Sequence, residues 1–411
     1  MGRATFLWLN EDGASDFRWV QRRLTPINVS VSGKAAIAGA AFVLLSMPSV
    51  IGSPESVYGQ QVVKKSQLIL QIGEELGPDE YTFNLIADVD VSPRDGGIYV
   101  LDGGDQTVKR YDRLGNYVSQ FGRAGQGPGE FGLPHALSVD STVRVYDIGQ
   151  RRMSVFSLDG EHIRTRRLGL IGPANLSMVF PIRNGMLVGV TTPRFAYGHQ
   201  SDDPNFAVLA LYPTADAIVD TLLVCHSGGT VWHARGKPGP WGIADSPFGF
   251  GGAWAVHADS LVAVVNGYTG EGKVYLADST GLTIMRQFQL PYESRPVSER
   301  DVAGVEENFR ARREGLGHPV GAIMLEPPPR WSIARRALFA HNGDLWINIG
   351  SIAEIDAEQF LVIEQEGDQM SEFTLPAGFQ LSAVREDLLY GTAQSELGAG
   401  LVRVYKMSSS P

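Results

Sequence analysis

The chain has 411 residues, of which 43% are hydrophobic and 19% are charged, and its 48 glycines favour many short strands in a globular fold. A net charge of -10 at pH 7 argues against nucleic acid as a partner, because an acidic surface repels phosphate groups. The single cysteine, Cys225, excludes an internal disulfide, and it is interpreted as a core residue in preference to a nucleophile.

Residues 1–59 are predicted to be an N-terminal extension and a signal peptide. An uncharged apolar run spans residues 35–46, with Lys34 before it and with Pro48, Pro54 and the small residue Gly59 after it. A membrane span needs about 20 apolar residues. Cleavage after Gly59 is therefore favoured over an uncleaved signal anchor, and the mature chain is expected in the periplasm or outside the cell without a stable membrane span.

Residues 1–33 are longer and more polar than an ordinary signal-peptide start. Two explanations stay open: the assigned start of the chain is too early, or the segment is a disordered extension.

A repeat begins after this segment. Residues 98–118 (IYVLDGGDQTVKRYDRLGNYV) align without a gap with residues 143–163 (VRVYDIGQRRMSVFSLDGEHI). In each copy a strand ends in an aspartate (Asp102, Asp147), a second strand ends in an aromatic residue, and a glycine turn leads to a third strand. Apolar residues alternate along these strands, which predicts three antiparallel strands joined by tight turns.

Further hairpins of this type follow along the chain, and a sixth unit at 388–405 lacks its outer strand. The segment 67–72 can supply that strand and so close a ring. The links 73–81 and 122–131 support this register, because both carry Gly-Pro-x-Glu-aromatic near their ends. The predicted blades are 86–122, 133–169, 179–224, 250–290, 330–375, and 378–407 with 66–72.

The unit GGIYVLDGGDQTVKRYDRLGNYVSQFG at 96–122 resembles an NHL repeat, and the link GQGPGEF at 125–131 is similar to those of NHL-like six-bladed propellers in exported bacterial proteins. The resemblance is sharp over residues 66–170 and continues as a pattern to 407. It implies an all-β, six-bladed β-propeller as a single domain over 60–411, closed by its N-terminal strand. It leaves the function open, because such propellers include enzymes, lactonase-like metalloproteins and binding scaffolds.

Three insertions interrupt the blade spacing, at 191–206, 225–252 and 291–330. The last is predicted to contain a short helix that begins with a capping box at Ser298 and Asp301 and ends near Gly315. Long loops on a rigid scaffold commonly carry binding sites. The alternative is that these loops only cover the edges of blades.

The candidate binding residues lie where the inner strand of a blade begins, at one mouth of the central channel. They are His135, Arg335, Arg336 and Trp254. A histidine with two arginines suits a carboxylate or another small anion. The alternative is that these groups bond backbone carbonyls or pair with Asp88.

Loop residues in the second insertion form a further set of candidates, namely His226, Trp232, His233 and Trp241. Asp102, Asp105 and Asp147 resemble a calcium cluster, but a residue that recurs once per blade more often caps a turn. No cofactor is evident from the sequence.

Two functions are compatible with these features. The first is a monomeric scaffold that binds a small molecule or a protein without catalysis. The second is a metal-dependent hydrolase or lyase, lactonase-like or amidating-lyase-like, in which Ca or Zn would act at the channel mouth. The sequence does not decide whether the protein is an enzyme.

Overall fold

A computed structural model of the protein describes most of the chain after residue 65. The described ranges are 66–167, 175–182, 185–191, 206–211, 218–225, 230–234, 241–244, 251–257, 260–278, 281–315, 321, 323–349, 357–366 and 370–408.

Within these ranges the chain forms 27 strands, one α-helix and one 3₁₀ helix. In chain order the strands are β1 Ser66–Ile72, β2 Ile86–Val91, β3 Ile98–Asp102, β4 Thr107–Tyr111, β5 Tyr117–Phe121, β6 Pro134–Val139, β7 Val143–Asp147, β8 Arg152–Phe156, β9 His162–Arg167, β10 Asn175–Ile182, β11 Gly185–Thr191, β12 Phe206–Leu211, β13 Ile218–Cys225, β14 Thr230–Ala234, β15 Trp241–Ala244, β16 Gly252–His257, β17 Leu261–Asn266, β18 Glu271–Ala277, β19 Leu282–Gln289, β20 Ile323–Glu326, β21 Arg336–Phe339, β22 Leu345–Asn348, β23 Gln359–Ile363, β24 Met370–Thr374, β25 Gln380–Arg385, β26 Leu388–Gln394 and β27 Gly400–Met407. The helix α1 spans Glu299–Gly315, and the 3₁₀ helix spans Asp79–Tyr81.

The described strands form six four-stranded antiparallel sheets and one three-stranded sheet. The four-stranded sheets are blade 1 (β2–β5), blade 2 (β6–β9), blade 3 (β10–β13), blade 4 (β16–β19), blade 5 (β21–β24) and blade 6 (β25–β27 with β1). The first strands of the blades contact one another, since β2 contacts β6 and β25, β21 contacts β25 and β16, and β10 contacts β16. The fold is therefore an all-β, six-bladed propeller whose innermost strands surround a central channel.

The N-terminal strand β1 closes blade 6, as the sequence predicts. It pairs antiparallel with β27, with Leu68 opposite Tyr405 and Ile72 opposite Val402. Ile72 and Val402 are both buried in the core between blades 6 and 1. This pairing covers the edge of β27 that the chain terminus would otherwise leave open.

The two ends of the channel carry different connections. Each blade is a meander of four antiparallel strands, so its last strand ends at the same side of the ring where its first strand began. The links between blades and the turns between second and third strands therefore lie on one side, which we call the front face. The other turns lie on the back face. The Leu137 amide donates a hydrogen bond to the Asp88 carboxylate and the Val139 amide donates one to the Asp90 carboxylate, which confirms that β2 and β6 run parallel.

Each of the three predicted insertions joins strand ends that lie on the front face. The insertion between β11 and β12 joins a second strand to a third, and the other two join blade 3 to blade 4 and blade 4 to blade 5. Two of them pair with each other, because β14 lies between β15 and β20 in the three-stranded sheet. The sequence reasoning missed this accessory sheet, since its pairs, such as Thr230 with Glu326, are far apart in the chain.

The helix predicted in the third insertion is present as α1. The Ser298 hydroxyl accepts a hydrogen bond from the Asp301 amide at 3.3 Å, and the Asp301 carboxylate accepts one from the Ser298 amide at 2.8 Å. This reciprocal arrangement is the predicted capping box. One face of α1 packs Val302 and Val305 against Trp331, at the return of the chain to blade 5.

Cys225 is the last residue of β13, and it is buried in a cluster with Leu223 and Val262. Burial raises the pKa of its thiol to about 12, because the apolar surroundings disfavour the thiolate. The thiol is thus protonated at neutral pH, and the interpretation of Cys225 as a core residue is confirmed.

Candidate functional site

The repeated aspartates Asp102 and Asp147 are turn caps. Asp147 is 1% exposed, and its carboxylate accepts hydrogen bonds from the amides of Gly132, Leu133 and Gln150 at 2.5–3.1 Å. The Asp102 carboxylate bonds the amides of the preceding link and of the following turn in the same way. Each carboxylate ties the link that enters its blade to a turn of that blade, so the repeat is structural.

Two further aspartates, Asp88 and Asp90, line the channel from the inner strand of blade 1. Each accepts a bond from an inner-strand amide of blade 2, Asp88 from Leu137 at 2.8 Å and Asp90 from Val139 at 2.7 Å. Desolvation by the surrounding protein raises the pKa of Asp88 to about 6 and that of Asp90 to about 7, although these hydrogen bonds act in the opposite direction. The channel thus holds two carboxyl groups that titrate near neutral pH.

The inner strands begin with a recurring irregularity at the front face. The register between the first two strands shifts around Ala87 in blade 1, around His135 in blade 2, around Ser177 in blade 3 and around Ser382 in blade 6. A β-bulge of this kind redirects a side chain out of the regular alternation. His135 occupies such a position and is exposed to solvent.

Arg335 and Arg336 lie at the start of the inner strand of blade 5. Arg336 donates to the Glu358 carboxylate at 3.0 Å and stacks over the Phe360 ring at 5.8 Å. Its positive charge also lowers the pKa of Asp88, against the larger raising effect of burial. The ion-pair partner of Arg336 is therefore Glu358, which the sequence reasoning missed, and not the Asp88 that it named.

Arg335 differs from its neighbour. Its side chain makes no hydrogen bond or ion pair within the described residues, and its Nε atom, like that of Arg336, is inaccessible to solvent and without an acceptor there. Desolvation lowers the pKa of Arg335, and the charge of Glu358 only partly offsets this effect. The front face therefore holds a half-buried guanidinium whose charge is incompletely compensated.

The remaining candidates are more widely distributed. Trp254 is the third residue of β16 and packs half-buried on the cluster around Leu223, Cys225 and Val262. His135 makes no hydrogen bond to either arginine within the described part of the chain. The four candidates therefore share the front-face end of the inner strands, whereas the two arginines alone are adjacent.

The loop candidates belong to the second insertion. The backbone of Trp232 and His233 lies in β14, opposite Ile243 and Gly242, and Trp241 begins β15 opposite Ala234. His226 lies outside the described residues. These three backbone positions belong to the accessory sheet and not to the inner strands.

Asp88, Asp90 and Glu358 are the residues that sequence reasoning failed to select as a set. The alternation of aspartate with valine in 88–91 is the available signal, because it places two carboxyl groups on one side of a strand. Glu358 carries no local signal, since it stands in a long connection and meets Arg336 only through the fold.

Within the ranges that the structure describes, no three His, Cys, Asp or Glu side chains converge closely enough to hold a metal ion. Among the described residues, no helix is long and apolar enough to cross a membrane.

Residues 76–203 match a protein family described as a 6-bladed beta-propeller, DUF5128. No curated protein matches the chain. The matched region includes blades 1 and 2, where the sequence repeat is sharpest.

Solved structures of several propellers are similar to the chain at low identity. A member of the duf4221 family from Bacteroides vulgatus is 13% identical with a TM-score of 0.46, over 85% of this chain and 100% of that one. A streptogramin B lyase is 10% identical with a TM-score of 0.39, over 85% and 99% of the two chains. A gluconolactonase of Xanthomonas campestris is 13% identical with a TM-score of 0.36, over 80% and 88%. Likenesses at this level carry no inference about activity.

Proposed function

We propose that the chain is an exported, NHL-like propeller that binds a small anion, in the first instance a carboxylate, at its front face and does not catalyse a reaction. The observation that carries the proposal is the Arg335 guanidinium, which is half-buried without an acceptor in the described residues. Leaving such a charge unpaired costs free energy, and an anionic ligand that bonds it removes that cost.

The composition of the front face supports an organic anion over a bare inorganic ion. Arg336 is already paired with Glu358, so the local excess of positive charge is small. Leu85 and Leu133 hold equivalent positions before β2 and β6, and both are more than half exposed, at 62% and 57%. A Cβ at Gly103 would lie 3.2 Å from the Ala87 Cβ and 3.5 Å from the Pro134 carbonyl oxygen, so the starts of these two strands are close. The front face thus combines a cation with apolar side chains.

The test uses the thermal unfolding midpoint of the mature protein with succinate, citrate or inorganic phosphate. We expect an organic anion to raise the midpoint, because a ligand that binds only the native state stabilises it by mass action. Arg335→Gln should abolish the increase. The matched control is Arg300→Gln, which removes an exposed arginine of α1 and should leave the increase unchanged.

Two outcomes would contradict the proposal. In the first, none of the three anions raises the midpoint. In the second, the Arg335→Gln protein responds as the wild type does. A response to phosphate alone would replace the carboxylate with an inorganic anion as the ligand.

The metal-dependent hydrolase or lyase is distinguished by elemental analysis of the purified protein after dialysis. Stoichiometric zinc or calcium would support the enzyme and count against a non-catalytic scaffold. The proposal of a scaffold expects neither metal.

Export is tested at the N-terminus. We expect the protein recovered from the periplasm or medium of an expressing bacterium to begin at Gln60, as intact-mass measurement would show. A membrane-bound product that retains residues 35–59 would instead support the signal anchor.

A further inference from the structure

The outermost strand of blade 2, β9, carries an unusual concentration of positive charge. Its sequence is HIRTRR, and Arg164, Arg166 and Arg167 are all exposed. None of the three makes an ion pair or a side-chain hydrogen bond within the described part of the chain. This occurs on a protein with a net charge of -10.

The other strand arginines behave differently. Each of those in the described strands outside β9 has a hydrogen-bond or ion-pair acceptor. The seven are Arg110, Arg144, Arg152, Arg286, Arg336, Arg385 and Arg403. Among the described residues, β9 is therefore the one strand whose arginines lack acceptors.

The neighbours of β9 add to its charge. Arg167 stands directly opposite Arg152, and like charges in opposite positions of two strands repel each other. The Arg152 guanidinium donates to the carbonyls of Gln126, Gly127 and Glu130 and has no carboxylate partner within the described residues. An anionic partner would relieve this repulsion.

Protection of the strand edge is the simplest alternative explanation, because charged side chains on an edge strand hinder aggregation. The other outermost strands carry fewer charges. β1 (SQLILQI) and β5 (YVSQF) contain no charged residue at all, and β13, β19 and β24 contain one each. Because the other five edges have one charge or none, edge protection alone does not explain three arginines on β9.

The backbone of β9 is also available for pairing. β9 is the last strand of its sheet, and its outer edge pairs with no other strand in the described residues. An extended peptide can add to such an edge through main-chain hydrogen bonds, while side chains of the edge strand select its sequence.

We propose that β9 is a docking site for an extended acidic segment of a partner protein, which adds to blade 2 as a fifth strand. Charge complementarity with Arg164, Arg166 and Arg167 selects acidic residues in that segment. The site is separate from the front-face anion site, because it lies on the outer rim of blade 2.

The test measures fluorescence anisotropy of two labelled peptides at low ionic strength. One alternates glutamate with valine, and the other has the same charge but alternates glutamate with proline. Proline cannot donate a main-chain hydrogen bond, so the second peptide cannot add as a strand. We expect the protein to bind the first peptide with a Kd below about 1 mM and the second much more weakly.

The variant R164Q/R166Q/R167Q should weaken binding of the valine peptide by about tenfold, since exposed ion pairs contribute about 0.2–1 kcal/mol each. The matched control R94Q/R113Q/R300Q removes three exposed arginines outside β9 with the same change of charge. It should change the Kd by less than about twofold, since its charges lie away from the strand. Bound peptide should also slow hydrogen exchange of amides within 162–167.

Several results would overturn the proposal. One is the absence of binding at about 1 mM peptide. Another is equal weakening by the two triple variants, which would indicate a nonspecific charge effect. Equal binding of the two peptides, or binding of an acidic polysaccharide in preference to the valine peptide, would make β9 a polyanion site and not a site of strand addition.

Discussion

The front and back faces of the ring are built from connections of different kinds. On the back face, short turns such as 112–116 and 157–161 join the strands of blades 1 and 2, each with a glycine at positive φ, Gly115 and Gly160. On the front face, connections range from the compact links before blades 1 and 2 to insertions that contain α1 and the accessory sheet. The repeated sequence therefore determines the ring and the turns of the back face. The connections differ in length and content mainly on the front face, where the candidate residues lie.

The largest expected difference between the faces concerns their aspartate caps. Asp147→Ala removes the front-face acceptor of three amides, those of Gly132, Leu133 and Gln150. We expect it to lower the free energy of unfolding by about 3 kcal/mol, because unsatisfied buried donors cost about 1–3 kcal/mol each.

The matched back-face variant is Asp112→Ala. Asp112 accepts from the amides of Leu114 and Asn116 in an exposed hairpin, where water can replace it. Its removal should cost less than about 1.5 kcal/mol, within the net value of one hydrogen bond. Denaturant titrations measure the free energy of unfolding of both variants. Equal decreases in the two variants would contradict the distinction between the faces.

A second comparison uses glycines at positive φ. Gly122, in the front-face link, has φ +80°, and a Cβ there would overlap the Phe131 ring. Gly281, in a back-face turn, has φ +138° with no atom within 4 Å of a Cβ. Alanine at Gly281 should cost about 1 kcal/mol through strain alone. Alanine at Gly122 should cost about 2–3 kcal/mol, since it adds overpacking. The denaturation midpoints of the two alanine variants measure these losses of stability. A smaller loss for the Gly122 variant than for the Gly281 variant would show that the link relaxes around the added methyl group.

The channel carboxyl groups predict a pH dependence. The pKa values of Asp88 and Asp90 are raised to about 6 and about 7, so the native state binds protons that the unfolded state has released. Their contribution to stability is therefore full below about pH 4 and is lost as pH rises to about 7. The free energy of unfolding of the wild type, relative to that of Asp88→Asn/Asp90→Asn, should fall by on the order of 1–3 kcal/mol over this interval.

The measurement is a series of denaturant titrations between about pH 4 and pH 8 on both proteins, which isolates the two groups from all other titrations. If the free energy of unfolding of the wild type, relative to that of the double variant, rose with pH, the hydrogen bonds from the Leu137 and Val139 amides would outweigh desolvation.

The smallest expected effect is in the helix of the third insertion. Ser298→Ala removes the hydroxyl that caps α1 and should cost about 1 kcal/mol. Ser298→Thr retains a capping hydroxyl and should cost less. Native-state proteolysis within α1 should be faster in the alanine variant only, and equal rates would show that packing of Val305 on Trp331 holds the helix without its cap.

The sequence predicts the ring well because the ring is made of local patterns. Strands, hairpin glycines and Asp caps recur within one blade, and the closing strand β1 is recognisable because its link repeats that of blade 2. The capping box of α1 is equally local.

The site is predicted less well because it is made of contacts between blades. His135, Arg335 and Arg336 are identified by their position at the start of inner strands. The pairing of Arg336 with Glu358 joins the first strand of blade 5 to the connection between its second and third strands, which are distant in the chain. The influence of Arg336 on Asp88 depends on how blades 5 and 1 face each other across the channel. The accessory sheet is missed for the same reason, since no local spacing relates β14 to β20.

The pairing of β14 with β20 also has a consequence for the order of folding. Thr230 pairs with Glu326, and the whole of blade 4 lies between them in the chain. Closing so long a loop lowers the chain entropy, and the few residue pairs of a short sheet offset this loss only after blade 4 has brought the two strands together. The accessory sheet should therefore form after blade 4 and open before the ring does. The front face is then the last part of the molecule to fold and the first to unfold.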